Sequence, residues 1–478
     1  MAGFFPKGKM GLDGNRPIDM GSGALAPQMA TPAIMSDTGA AFVRVNFVLG
    51  PWNAPDDATP HAGRTWFQAY DAIVDGLRSQ GLGVYGLVGV ESTRAGDPGD
   101  RFRAQGPDAS ADQWLDTYAR DFVLIAQHFA GRVRLFESFN EPNDWHAGNS
   151  AWMHPYWFAK LLKIVYQKVK IDAHIDVTLV SGPLLTHDLP GGGDDGTFYL
   201  DQTYLLGRTF HDWEQFQTDH GTYPLDDIGY HIYVGNTAEN TPQDVQAIYT
   251  RYLNAIMGTI KRYEGQLTDK GLHVSEYGFT SDNGEDLQAT KMQAAFRTLR
   301  DSRSVKTASW FCLQDFPGSA YGLYRAGALT AGNRKAAYAT FKALTGESAP
   351  AQSKVGYDAQ GNFYPEIADA YQRNGGEAKL GQPFDNGGTE YVHRWGAGVV
   401  QDFRTAGGAL SIIMRRDGTA QAYMLTGIIR HRYLYTHGGA EGRLGYPTAD
   451  VTYDEWGLPR ATFEHGAMSC RTFTEFTD

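Results

Sequence analysis

Short runs rich in Val, Ile, Phe and Tyr alternate with longer amphipathic stretches from about residue 41 to residue 344. That rhythm predicts repeated βα units around a parallel sheet. The strand candidates are 42–48, 84–90, 133–139, 177–181, 228–233, 273–277 and 307–313, and a weaker one at 9–13 makes eight. Between them, 66–80, 111–129, 156–173, 242–263, 287–300 and 334–344 carry apolar residues at helical spacing; Leu161, Ile164 and Val165 fall on one face. Eight strands, each followed by a helix, predict an α/β fold, a (β/α)8 TIM barrel with enlarged loops. A doubly wound open sheet is the structural competitor.

The texture changes after Leu344. Residues 345–353 are polar and small, as in a linker, and beyond them helical periodicity fades while Gly and aromatic residues rise. Tyr371, Gly375, Gly376, Leu380, Gly381 and Pro383 recur in the same order as Tyr435, Gly438, Gly439, Leu444, Gly445 and Pro447. Each copy is followed by an aromatic-then-glycine element, Trp395 with Gly398 and Phe463 with Gly466. The chain therefore divides into a barrel over 1–347 and a smaller β-rich repeat domain over 348–478. The segments LGQP and LGYP resemble the LGFP repeat of bacterial cell-envelope proteins, which implies attachment to wall polysaccharide, not catalysis.

Composition narrows the partners. With 478 residues, 42% hydrophobic and 20% charged, the chain is of the soluble globular type, and no apolar run approaches a membrane span. A net charge of -12 repels nucleic acid and leaves neutral ligands open. The 13% aromatic content suits stacking against sugar faces. Cys312 and Cys470 are too few for a disulfide framework or a thiolate zinc site, and read as two independent thiols, with one bridge between domains the alternative. Residues 1–9 show no signal peptide.

Chemistry concentrates at the predicted strand ends, where a barrel keeps its active site. FESFNEP, residues 136–142, puts Asn140 and Glu141 at the mouth, unless they form a simple turn. Glu276, in the SEYG that closes another strand, supplies a second carboxyl group. Two carboxyl groups across one pocket, one protonated and one ionised, are what glycosidic hydrolysis requires. His231 and Tyr233 share a strand face, as do Arg44 and Asn46. A buried Arg44 needs an anionic partner, for which Glu276 is the natural candidate, and the pairing would hold Glu276 ionised. Trp310 is a candidate sugar floor, with Cys312 and Gln314 on its face. Trp52, Trp145 and Trp152 are loop candidates for further platforms.

These motifs in order, NEP, HIY, SEYG and Trp310, resemble glycoside hydrolase clan A, the retaining (β/α)8 enzymes that include families 5 and 39. The resemblance covers the first 345 residues or so. It implies Glu141 as acid/base, Glu276 as nucleophile and Asn140 as a ligand of the sugar 2-hydroxyl. It further implies that Tyr233 and Arg44 orient Glu276, that His231 contacts substrate or acid/base, and that Trp310 lines the reacting-sugar subsite. Double displacement with retention would follow, with the carboxyl groups about 5 to 5.5 Å apart and no metal or other cofactor. Phe136 and Phe139 depart from the WxxWNEP often seen there, which bears on the family and not on the acid/base.

Other signals carry less. Gly81, Gly83 and Gly86 spell GxGxxG but enter a strand instead of leaving one, so no helix N-terminus would meet a phosphate. Gly191 to Gly193 with Asp194 and Asp195 fit no EF-hand spacing. HExxH and GxSxG are both missing from the sequence. The sequence reading is therefore a retaining β-glycoside hydrolase acting outside the cell or at its envelope on an oligo- or polysaccharide. The alternatives are a non-catalytic carbohydrate-binding or envelope protein, and a transglycosylase using the same two carboxyl groups.

Overall fold

The computed structural model describes residues 4–144, 152–187, 196–265, 268–347, 354–359, 362–386, 389–472 and 475–477, with side chains up to residue 469 apart from that of residue 187. The chain forms two compact units, Met1–Pro350 and Ala351–Asp478.

In the first unit the strands are β1 (Met10–Asp13), β2 (Phe42–Asn46), β3 (Gly83–Val88), β4 (Leu135–Ser138), β5 (Thr178–Ser181), β6 (Leu184–His187), β7 (Ile228–Tyr233), β8 (Leu272–Tyr277) and β9 (Val305–Trp310). They form one parallel sheet in the order β5-β4-β3-β2-β1-β9-β8-β7-β6. β5 and β6 are two halves of one strand, interrupted at Gly182 and Pro183. A Cβ at Gly182 would lie 2.6 Å from the Ser138 carbonyl oxygen, so only glycine lets the neighbouring strand pass. Val180 bridges Asp227, just before β7, and the Ser181 N–H donates to the Asp227 carbonyl at 3.0 Å. The ladder thus returns to its start, and the unit is a (β/α)8 barrel.

Helices follow each strand. The two short turns α1 (Pro27–Ala30) and α2 (Ala33–Ser36) follow β1, and α3 (Trp66–Ser79), α4 (Ala109–Phe129) and α5 (Pro155–Tyr166) follow β2, β3 and β4. α6 (Thr197–Phe210) and α7 (Trp213–His220) follow β6, and α8 (Pro242–Glu264), α9 (Glu285–Asp301) and α10 (Ala336–Gly346) follow β7, β8 and β9. Their starts are written locally. Thr65 and Gln68 form a capping box on α3, Thr241 and Asp244 another on α8, and Asp108 caps α4.

Outward-facing Val43, Val45, Phe47 and Phe136 pack on helix residues such as Trp66, Phe122 and Phe129. The N-terminal end of the barrel is plugged by Phe5, stacked on Phe42 at 4.4 Å, with Tyr85, Leu135 and Val180. Apolar packing therefore closes one end and leaves polar side chains to fill the lumen toward the other. Among the described residues no helix is long and apolar enough to cross a membrane.

The second unit is two small antiparallel sheets: Val399, Phe403 and Ile413 of the first pack with Ile367 and Tyr371, while Val400, Ile412 and Met414 share a second core with Ala461, Phe463 and Met468 of the other sheet. In one copy the Tyr371 hydroxyl donates to the Gly381 carbonyl at 2.7 Å, and Gly375 and Gly376 both have positive φ. In the other, the Tyr433 hydroxyl donates to Gly445 at 2.8 Å, and Gly438 and Gly439 both have positive φ. The counterpart of Tyr371 is therefore Tyr433, not Tyr435, which stands in solvent. The aligned tyrosine was two residues away from the one that packs.

Candidate active site

Strand alternation and one irregularity build the site. Arg44 on β2, Glu137 on β4 and His231 on β7 all point into the barrel, buried where an ionisable group persists only with partners. On β8 the pairing with β7 runs Tyr230 with Val274 and then His231 with Glu276, which leaves Ser275 as an extra residue. That β-bulge lets Ser275 and Glu276 both reach the lumen, where a regular strand would send one of them outward.

Arg44 is the hub. Its Nε donates to Glu137 Oε2 at 2.9 Å, its Nη1 to Glu276 Oε1 at 2.5 Å and to Asp13 Oδ2 at 3.4 Å, and its Nη2 to Asn140 Oδ1 at 3.0 Å. Burial opposes the charge on Arg44, but Glu137 first, then Glu276 and Asp13, outweigh it and hold the guanidinium firmly protonated. Sequence reasoning found one of these three carboxylates. Glu137 was visible as a charged residue in the middle of a strand, and Asp13 as the last residue of the weakest one. Burial foremost pushes the Asp13 carboxyl up to about 6, against the pull of Arg44.

Glu276 is held on both oxygens, since the Tyr233 hydroxyl donates to Oε2 at 2.5 Å. Burial alone would raise its pKa; His231, Arg44 and the Tyr233 hydroxyl together outweigh that and keep Glu276 below its ordinary range. Tyr233 itself is driven far above the ordinary phenol value, by burial and then by Glu276, so it stays a donor.

Glu141 stands in the loop after β4 with φ 46°, next but one to Phe139 at φ 76°. These two left-handed residues turn the chain so sharply that Glu141 meets His231, whose Nδ1 lies 2.7 Å from Glu141 Oε1. Nε2 of the same ring lies 3.0 Å from Ser275 Oγ and 3.6 Å from Glu276 Oε1. Burial lowers the His231 pKa, but Glu276 and Glu141 more than offset this and raise it above 6.5.

An oxygen of Glu141, an oxygen of Glu276 and a ring nitrogen of His231 all lie within 4.8 Å of one another. The Glu141 side chain is 20% exposed and that of Glu276 12%, so both carboxyl groups open to the same mouth. Three such groups have the spacing of a cation site. Here the positive charge facing Glu276 is already that of Arg44, and the imidazole nitrogen facing Glu141 is already engaged.

The remaining expected residues divide. Asn46 lies at the rim, its amide donating to Glu91 Oε1 at 2.6 Å and accepting from Ser92. Trp310 is corrected: it is fully buried, packs edge-on to Tyr277 at 5.5 Å and near Phe279, and its indole N–H donates to the Tyr321 carbonyl. It belongs to the layer between sheet and helices. On β9 the inward residues are Thr307, bonded to His273, and by alternation Ser309, which puts Trp310 outside.

The aromatic beside the acidic pair is Phe311, 6.0 Å from Tyr233, with Tyr321 at 5.4 Å from Tyr233 and the exposed Phe316 next to Phe311. Trp52 is corrected likewise: it is 3% exposed, donates to the Thr59 carbonyl and packs on His61. Trp152 lies under Arg103. Trp145 and the 191–195 loop lie outside the described residues. Cys312 is a buried free thiol, and the side chain of Cys470 lies outside the described residues.

No protein-family model matches the chain, and no curated protein matches it. Among solved structures it is similar to a GH128 (subgroup II) endo-beta-1,3-glucanase from Sorangium cellulosum, at 18% identity and TM-score 0.42, over 72% of this chain and 98% of that one. It is also similar to a family 1 β-glucosidase from Thermotoga maritima, at 13% identity and TM-score 0.45, over 72% and 100%. A GH128 (subgroup I) endo-beta-1,3-glucanase from Amycolatopsis mediterranei gives 17% identity and TM-score 0.37, over 70% and 99%. At this distance the likeness does not extend to activity. Fold and site together define a barrel protein with two close, differently held carboxyl groups at its open end.

Proposed function

We propose that the protein is a retaining β-glycoside hydrolase acting on an oligo- or polysaccharide, with Glu276 as nucleophile and Glu141 as acid/base. The observation that carries this reading is the approach of their oxygens to within 4.8 Å, with unlike partners on each side. Retention needs carboxyl groups about 5 to 5.5 Å apart, whereas inversion leaves about 6.5 to 9.5 Å for a water.

In the first step a Glu276 oxygen attacks the anomeric carbon. The bond to the leaving oxygen breaks, and the Glu141 proton goes to that oxygen. In the second, water attacks the same carbon, Glu141 takes the water proton, and the bond to Glu276 breaks. Arg44 and Tyr233 keep Glu276 ionised and aimed. Asn140 accepts from Arg44 and so keeps its amide N–H2 for a sugar hydroxyl. Phe311 and Tyr321 offer ring faces to the sugar. Asn46 and Glu91 would bound the cleft.

No cofactor enters this scheme. The repeats of the second unit, read as LGFP-like, would hold the enzyme to cell-wall polysaccharide, outside the cell or at its envelope.

The test is hydrolysis of a panel of β-linked glycans with the product anomer followed by NMR. The expected result is a β product from the native protein. Loss of turnover in Glu276→Ala and Glu141→Ala, with azide giving a β-glycosyl azide from Glu141→Ala and an α one from Glu276→Ala, completes it. An α product from the native protein overturns the assignment, and a panel left uncut favours a carbohydrate-binding role. Transglycosylation by the same pair would appear as longer products at high acceptor concentration.

A further inference from the structure

The hydrogen bonds behind His231 have a direction. Glu137 is fully buried, and its Oε1 accepts from the Tyr85 hydroxyl at 3.1 Å and from the Ser275 hydroxyl at 2.6 Å, while Arg44 occupies Oε2. A serine hydroxyl has one proton. With that proton given to Glu137, Ser275 Oγ can only accept from His231 Nε2, 3.0 Å away. Glu276 Oε1, 3.6 Å from the same nitrogen, favours a proton there too.

We infer that Ser275, aimed by Glu137, is a positioning residue that keeps His231 in its Nε2–H form. The nitrogen turned to Glu141, Nδ1, then carries the exchangeable proton of a Glu141–His231 pair. This rests on the hydrolase reading for its use, though not for its existence. When the imidazole is neutral, Nδ1 presents a lone pair 2.7 Å from Glu141 Oε1, and a hydrogen bond there requires the proton to sit on Glu141. When Glu141 is a carboxylate, the same proton sits on Nδ1.

The opposite tautomer would donate from Nδ1 while neutral and would hold Glu141 ionised, unable to protonate a leaving group. The charged groups facing the ring are Glu141 from the β4 loop, Glu276 on β8 and Arg44 on β2, with Tyr233 beside it on β7. Their charges alone leave the choice of tautomer open; Ser275 decides it.

Nitrogen NMR of the full-length protein with labelled histidines, assigned by difference with His231→Asn, tests this without turnover. The expected result at alkaline pH is a proton on Nε2 in the native protein and in Ser275→Thr. Ser275→Ala should populate the Nδ1–H form. A native Nδ1–H ring, or a tautomer unchanged in Ser275→Ala, overturns the inference.

In kinetics, Ser275→Ala should lose about a hundredfold or more on a glycoside with an alkoxide leaving group, the scale of general acid catalysis. It should change little on an aryl glycoside whose phenol needs no proton, and Ser275→Thr should restore the first. Equal losses on both substrates overturn the positioning role. A native protein with the Nε2–H ring but no hydrolysis of any glycan keeps the tautomer and removes the hydrolase, so the two readings fail separately.

Discussion

Nη1 of Arg44 lies 2.5 Å from Oε1 of Glu276, while the other two nitrogens of the same guanidinium hold Glu137 and Asn140. One buried cation therefore sets the charge of one catalytic candidate and, through Glu137 and Ser275, reaches the other. Arg44→Met should leave Glu137 and Glu276 buried without their cation, and breaking such a pair costs about 3–5 kcal/mol. Chemical denaturation of the full chain should show the loss in the barrel's transition. The acidic limb of kcat/KM in any surviving variant should move to higher pH.

Tyr233→Phe removes one donor from Glu276 and leaves the ring. A hydrogen bond to a charged group is worth about 1.5–3 kcal/mol, so kcat/KM should fall about ten- to a hundredfold. The acidic limb should again move up, because the lost bond favoured the ionised carboxylate. A profile that drops in height without shifting would contradict this.

Stability should depend on pH in a defined sense. Glu276 is depressed below its ordinary 4.5, so its contribution is present above about 4.5 and lost as pH falls through its folded value. His231 is raised above 6.5, so its contribution is complete below 6.5 and lost as pH rises through its folded value. Asp13, raised from 3.8 to about 6, gives a contribution complete below 3.8 and lost as pH rises through about 6. The barrel should unfold most reluctantly near pH 4.5 and lose stability in two stages toward alkaline pH, first with Asp13 up to about 6 and then with His231 above 6.5. In His231→Asn the decline on the alkaline side should flatten, as calorimetry across that range can read.

The aromatic residues should separate by role. Trp310→Ala should destabilise the barrel by about 3–5 kcal/mol, the scale of truncating a buried Trp. Phe311→Ala and Tyr321→Ala should raise KM for oligosaccharides with smaller effects on unfolding. Glycan titration and denaturation on the same samples compare them.

In the second unit, Tyr433→Phe should cost about 0.5–1.5 kcal/mol through its lost bond to Gly445. Tyr435→Phe should cost nothing measurable, since Tyr435 is 68% exposed. Unfolding followed in the full chain distinguishes them.

Much of this was legible in residue order. The strand rhythm names the barrel, and Arg44, Asn140, Glu141, His231, Tyr233 and Glu276 lie together because each closes or lines a strand. What alternation could not reveal was the bulge at Ser275, a backbone irregularity that leaves no mark on composition. Nor could it set the parity of β9. A tryptophan attracts the eye as a sugar platform, yet Thr307 and Ser309 occupy the lumen and Trp310 the helix side. Glu137 is not legible from sequence because a charge in a buried strand is assigned only once its cation is known, and Arg44 takes three carboxylates where the sequence suggests one. Periodicity does not reveal the helices Thr197–Phe210 and Trp213–His220 or the break at Gly182, since the sequence PGGGDDG just before the first helix interrupts the pattern.

Asn143 adds a last point. Its side-chain amide donates to the Leu185 carbonyl and accepts from the Leu185 N–H, both at 2.8 Å, as a neighbouring strand would. Two residues beyond Glu141, the chain is thereby stitched to the next strand. Sequence changes distal to that stitch would leave the backbone beneath Glu141 anchored, so the segment that follows is free to vary without moving the carboxyl group that faces His231.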